Sequence, residues 1–148
     1  MAPDQILGLS ERIAGTLKTV EQFQRARRIS VCLSFGNEVN TWKLTEDLAG
    51  GSERRLFVPR VNRDGTMHIH PYPCKLKALR MGLWQPAPGE PEMPAEEVGS
   101  SIDVAIILGL AFERQRGYRL GHGKGYFDRF LAGKTFFTIG LTFESLLV

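Results

Sequence analysis

The chain has 148 residues, 43% hydrophobic and 24% charged, a balance that suits one globular domain and excludes disordered and collagen-like classes. No apolar run approaches the roughly 18–20 residues of a membrane helix, and the start Met1-Ala2-Pro3-Asp4 lacks the basic flank and apolar core of a signal peptide, so a cytoplasmic protein is expected. Net charge is +3, from 19 Lys and Arg against 16 Asp and Glu, too mild by itself to argue for nucleic acid.

From Asp4 to Arg25, Ile6, Leu9, Ile13, Leu17, Val20 and Phe23 recur at spacings of three and four, which predicts an amphipathic helix with one core-facing stripe. Arg25, Arg27 and Arg28 at its end suit the negative pole of the helix dipole. Ile29-Ser30-Val31-Cys32-Leu33 then reads as a buried strand, and Ser34-Phe35-Gly36-Asn37 as the loop after it. Thr41 is the expected cap of a following helix with Leu44 and Leu48 inward and Gly50-Gly51 as its stop. Leu56-Phe57-Val58-Pro59 reads as a second strand closed by the proline, and Thr66 to Pro71 as a third. His68 and His70 alternate along that third strand; a metal pair lacks a third ligand nearby, so a partly exposed strand face is expected. Cys32 and Cys74 form no C-x-x-C pattern and read as two buried thiols.

Residues 85–99, with four prolines and two glycines, read as a loop or extended crossover. Ile102-Asp103-Val104-Ala105-Ile106-Ile107-Leu108 is a nearly continuous apolar run, as a central parallel strand covered on both faces requires. A helix is expected from Tyr126 to Leu131 and a last strand over Phe136–Leu141. Strands interleaved with helices predict a single α/β domain with a mainly parallel sheet, whose ligands bind beyond the carboxyl ends of strands.

The segment with the most chemistry is Arg119-Leu120-Gly121-His122-Gly123-Lys124-Gly125-Tyr126-Phe127-Asp128. Its alternating glycines let a backbone approach a ligand closely and turn successive N–H groups toward an anion. The start of the expected helix near Gly125 adds dipole stabilisation for phosphate. Arg119 offers a planar fork, His122 a hydrogen-bond donor and Lys124 a mobile point charge, while Asp128 carries a carboxylate suited to Mg²⁺ on a polyphosphate. This is neither a Walker A sequence nor G-x-G-x-x-G, and the same residues also suit a glycine turn that caps a helix.

Ile102 to Phe112 followed by Gly117 to Asp128 resembles the signature of the 5-formyltetrahydrofolate cyclo-ligase (5,10-methenyltetrahydrofolate synthetase) family: an aspartate-led apolar strand, P-G-L-A-F, then R-L-G-x-G-x-G-Y-Y-D. Leu33 to Thr41 is similar to the family's strand and loop ending in E-x-x-T, with weaker echoes at Phe57-Val58-Pro59-Arg60 and Met81-Gly82-Leu83-Trp84-Gln85-Pro86. The motifs stand in the family's order over roughly residues 10–145. The resemblance implies a three-layer α/β/α domain over 1–148 in which Arg119, Leu120, Gly121, His122, Gly123, Lys124, Gly125, Tyr126 and Phe127 form the ATP-phosphate loop. Asp128 is then the Mg²⁺ ligand, and Arg119 and Lys124 the charge-neutralising catalytic groups. His122, Gly123, Lys124, Gly125 and Tyr126 also touch the folate, Glu38 hydrogen-bonds it near the formyl-bearing ring, and Leu33 packs close by. From its residues alone, Glu38 reads equally as an exposed loop acid or a helix-capping group.

The activity so implied is ATP-dependent conversion of 5-formyltetrahydrofolate to 5,10-methenyltetrahydrofolate, by phosphorylation of the formyl oxygen and attack of N10. Its partners are reduced folate and ATP, with homo-oligomerisation open and neither nucleic acid nor membrane expected. The chain departs from the family pattern in four ways: no Lys-x-x-x-Arg pair precedes Ile6, the chain stops at Val148 with Ser145 at a glutamine position, Leu108 replaces a proline, and Met81 occupies an aromatic position. A family member shortened at both ends admits a second expectation, a weak or inactive relative that binds nucleotide or folate or serves as an oligomeric assembly module. Nucleic-acid binding through Arg25, Arg27, Arg28, Arg54 and Arg55 is a third reading, disfavoured because no aromatic platforms interleave with them.

Overall fold

The computed structural model describes residues 2–36, 38–51, 53–62, 64, 66–79, 82–109, 111–112, 119–120, 134 and 136–143. The amphipathic stripe of the first segment forms helix α1 (Pro3–Leu17), but the helix does not run on to Arg25: a second, short helix α2 (Glu21–Arg25) follows a turn. At that break Thr19 donates both its amide (3.0 Å) and its hydroxyl (2.6 Å) to Thr16 O, and Val20 is extended. A β-branched pair favours that tight exit over a further helical turn.

Strands β1 (Arg28–Val31), β2 (Arg55–Val61), β3 (Met67–Tyr72), β6 (Val104–Leu108) and β9 (Phe137–Leu141) form one sheet in the order β3-β2-β1-β6-β9. Four of them are parallel, and only the edge strand β3 pairs antiparallel, against β2. Between β1 and β2 lies helix α3 (Trp42–Ala49), closed by Gly50 as expected. A separate ribbon pairs β4 (Leu76–Ala78) with β5 (Trp84–Pro86), and two strands of two residues each, β7 (Ala111–Phe112) and β8 (Arg119–Leu120), pair antiparallel.

Alternation along the strands sends neighbours to opposite faces of the sheet. Leu56, with Ile29, Val31, Val104 and Ile106, packs among Ile6, Leu17, Phe23 and Leu44 of α1, α2 and α3. Phe57, with Ile69, packs against Val98 of α4 (Ala95–Ser101) and Ile102. Every residue of β6 is buried, the reason its sequence carries no polar alternation. Asp103 ties this strand to its neighbour: its Oδ2 accepts from the amides of Arg27 and Arg28, each at 2.9 Å.

Several elements differ from expectation for identifiable reasons. The strand through Pro59 continues to Val61, because β1 pairs with β2 only as far as Phe57 and asks no N–H of residue 59. Residues 85–99 are not loop throughout: they include most of β5 and the start of α4, whose first turn tolerates the preceding Pro94. His70 is 2% exposed rather than on a partly exposed face, since the crossover lies along the edge of β3: Met93 N donates to Ile69 O and the His70 Nδ1–H to Pro91 O, both at 2.8 Å. His68 Nδ1 meets Glu92 Oε2 at 2.5 Å. Of the two thiols only Cys32 is buried; Cys74 is half-buried, and burial pushes its pKa up. Among the basic residues, Arg54 lays its guanidinium 4.6 Å from the Phe23 ring centroid and donates to Gln24 O, while Arg25 pairs with Glu21.

Candidate functional site

The chain leaves β1 toward β2 on one side and, further on, passes from β6 to β9 on the other. The boundary between β1 and β6 is therefore a topological switch point, where loops after adjacent parallel strands part and open a crevice at their carboxyl ends. The loop after β1 carries Leu33 and Glu38. The segment after β6 carries the β7–β8 pair, in which Arg119 pairs with Phe112, and Leu120 with Ala111.

The first of these loops is held by its own polar groups. Ser34 N donates to Thr41 Oγ1 (3.1 Å), Thr41 N donates back to Ser34 Oγ (3.0 Å), and the Thr41 hydroxyl donates to Cys32 O (2.6 Å). Thr41 is 0% exposed and sits at the N-cap position of α3, yet its side chain makes no capping bond: the hydroxyl expected to cap the helix closes the loop instead. At the helix start it is Asn40 Oδ1 that accepts from Trp42 N (3.0 Å), and Asn40 N in turn donates to Ser10 Oγ of α1 (2.8 Å). Inside this frame Glu38 Oε1 accepts from Phe35 N at 3.2 Å, so the carboxylate is oriented by its own loop. Leu33, at the start of the same loop, is buried.

An open surface cleft of about 440 Å³ is lined by Trp42, Leu76, Gly82 and Trp84. One wall belongs to the Glu38 loop, because the Trp42 indole N–H donates to Ser34 O (3.0 Å). The opposite wall is the β4–β5 ribbon, in which Gly82 adopts φ +78° and Trp84 remains 43% exposed. The sequence marks the Met81–Pro86 stretch only through its resemblance and places Trp42 and Leu76 in no functional motif. The available signal was the placement of both tryptophans at element starts, outside any apolar stripe.

Of the segment expected to bind phosphate, Arg119 and Leu120 are placed by the backbone of β8. Gly121, His122, Gly123, Lys124, Gly125, Tyr126, Phe127 and Asp128, and the helix expected over Tyr126–Leu131, lie outside the described residues. Asp128, the residue implied for Mg²⁺, is among these, and among the described residues no group of three His, Cys, Asp or Glu side chains is arranged to hold a metal. Among the described residues no helix is long and apolar enough to cross a membrane.

The model of the 5-formyltetrahydrofolate cyclo-ligase family matches residues 1–148. The chain belongs to that family. Similar proteins include a probable 5-formyltetrahydrofolate cyclo-ligase of Caenorhabditis elegans, 32% identical over 117 residues that cover 74% of this chain and 55% of the relative. The 5-formyltetrahydrofolate cyclo-ligase of Mus musculus is 30% identical over 120 residues, covering 74% and 56%. The chain thus spans about half the length of these curated relatives. The fold is shared with the 5,10-methenyltetrahydrofolate synthetase of Aquifex aeolicus, with a TM-score of 0.78 at 24% identity over 99% of this chain and 72% of that one. The synthetase of Mycoplasma pneumoniae gives 0.72 at 20% identity over 100% and 79%. The α/β architecture expected from the interleaved strands and helices is the one this cyclo-ligase family adopts.

Proposed function

We propose that this cyclo-ligase family member converts 5-formyltetrahydrofolate to 5,10-methenyltetrahydrofolate with ATP and Mg²⁺, in a single domain whose phosphate-binding loop is residues 119–128. The observation that carries the reading is the switch point: the oriented Glu38 carboxylate and the strand entering the Arg119–Asp128 loop follow adjacent parallel strands, beside an open cleft. In this reading the formyl oxygen takes the terminal phosphoryl group of ATP, with ADP as leaving group. N10 then attacks the activated carbon and gives up its proton to solvent, and inorganic phosphate departs as the methenyl bridge closes.

Such chemistry asks for positioning and charge neutralisation rather than a covalent nucleophile. Arg119 and Lys124 supply positive charge to the phosphates, and the amides from Leu120 to Phe127 cradle them. Asp128 holds Mg²⁺, which neutralises phosphate charge when bound. Glu38 orients the reduced folate by hydrogen bonding, Leu33 packs close by, and His122, Gly123, Lys124, Gly125 and Tyr126 also contact the folate. The compartment we propose is the cytoplasm, although one relative, from Arabidopsis thaliana, is a mitochondrial cyclo-ligase.

The test is to mix the protein with ATP, Mg²⁺ and 5-formyltetrahydrofolate and follow the near-ultraviolet absorbance of the methenyl product. Lys124→Ala and Asp128→Asn are each expected to lower kcat by roughly 10²–10³-fold, the cost of losing one transition-state charge partner. Folded wild-type protein that gives no product above the enzyme-free rate rejects the reading. Calorimetric binding of ATP or folate without product then identifies the binding-module alternative.

A further inference from the structure

On its β1 side, strand β2 runs past Phe57 with no strand beside it among the described residues. Asn62 N donates to Thr66 O (2.8 Å), so on the antiparallel β2–β3 ladder the even-numbered residues of β2 turn their polar groups toward β3. Pro59 and Val61 therefore point the other way, toward β1, whose pairing with β2 has ended at Phe57. Pro59 has no N–H to satisfy. Val61 has both an N–H and a carbonyl, and a single side chain answers both: Val61 N donates to Gln85 Oε1 (3.1 Å), and Gln85 Nε2 donates to Val61 O (3.2 Å). The Gln85 amide stands where another strand's backbone would be.

Gln85 is the middle residue of β5, opposite Lys77 of β4. Alternation puts Gln85 on one face of the ribbon and Leu76 and Trp84, two of the cleft's lining residues, on the other. The ribbon is thus fastened from behind to the sheet and presents its front to Trp42. We infer that Gln85 is a positioning residue for the cleft: by pairing with Val61 it fixes the distance between the Trp84 wall and the Trp42 wall. This deepens the folate-site reading above and rests on it for the ligand, while the geometry it concerns exists without ligand.

Two measurements separate the parts. In a Trp42→Phe background Trp84 is the sole tryptophan, and acrylamide quenching reads its exposure with no ligand present. Gln85→Leu, close in size and unable to pair, should raise the quenching constant about twofold and speed hydrogen exchange at the Val61 amide, with the far-ultraviolet spectrum unchanged. In the otherwise wild-type chain it should raise KM for 5-formyltetrahydrofolate about tenfold while kcat stays within threefold. Gln85→Glu tests the pairing itself: its carboxylate accepts from Val61 N and repels Val61 O, whereas its protonated form accepts and donates as the amide does. Its KM relative to wild type should accordingly fall toward one as pH drops. Unchanged quenching in Gln85→Leu, an unchanged KM, or a pH-independent Gln85→Glu ratio each overturns the inference. Wild-type protein that turns over no folate defeats the proposed reaction, and the ligand-free quenching then decides the role of Gln85 alone.

Discussion

Replacing Thr41 by valine keeps the shape of a fully buried side chain and deletes its hydroxyl. That hydroxyl accepts from Ser34 N and donates to Cys32 O, so the substitution takes the acceptor from a buried amide and one donor from a buried carbonyl at the base of the Glu38 loop. Each such loss costs about 1–3 kcal/mol. With partial relaxation, the pair should cost about 2–4 kcal/mol in total, a large share of the roughly 5–15 kcal/mol by which domains are stable. At about 2–4 °C per kcal/mol for a chain of this size, the melting temperature should fall by about 5–15 °C. Urea unfolding followed by circular dichroism measures the same loss at constant temperature. Thr41→Ser is the control: it retains the hydroxyl and gives up one methyl group, about 0.8–1 kcal/mol. If Thr41→Val unfolds within about 0.5 kcal/mol of wild type, or Thr41→Ser is equally damaged, the loop is held by something other than this hydroxyl and the reasoning fails.

Tyr72 donates its hydroxyl to Glu46 Oε1 (2.8 Å); burial first, and then that carboxylate, push its pKa up to about 12. The neutral phenol is the form the fold prefers, so its contribution is complete below pH of about 10 and is lost as pH rises toward the folded value. Ultraviolet titration of tyrosinate should lose its most alkaline step in Tyr72→Phe, and a step that persists contradicts the assignment. Glu92 is held below the usual carboxylate range, chiefly by the hydrogen bond from His68. Its contribution is present above the ordinary glutamate pKa and disappears as pH falls through the lowered one, so His68→Ala should shift the carboxyl titration, read by carbon NMR, upward. Asp103→Ala removes the acceptor for two amides at the head of β1 and should cost about 1–3 kcal/mol in urea unfolding, whereas Asp103→Asn, which keeps an oxygen, should cost less than half of that.

The elements that could be read directly are those whose cause is local. The apolar run Val104–Leu108 announces a strand covered on both faces, and β6 is buried at every residue. The stripe from Ile6 to Leu17 needs only helical geometry, and Gly50 ends α3 where a glycine after the last apolar turn should. Glu38 stood out only through the resemblance of its loop to the family's E-x-x-T segment, since a loop acid after a strand is by itself usually a solvated group. Less legible were residues whose role depends on a distant neighbour. Thr41 has the side chain of a cap, and only the approach of Cys32 and Ser34 turns its hydroxyl to another use. Pro59 looks like a strand terminator until β1 is seen to stop two residues short of it. His70 alternates with His68 as an exposed face would, yet the crossover at Pro91 and Met93 covers it.

The resemblance of its ordered motifs points to the family whose model spans the chain, and periodicity and apolar runs by themselves reach an α/β domain and most of its strands. Those features are short-range: each follows from residues within a turn, a strand or a loop of one another. The cleft was settled by tertiary structure, since its walls join Trp42 at the head of α3 to Leu76, Gly82 and Trp84 on the ribbon. What brings them together is a two-hydrogen-bond contact between Gln85 and Val61, 24 residues apart. No local pattern encodes that pairing, because an exposed-looking glutamine acquires its meaning only when a strand edge with unmet backbone groups arrives beside it.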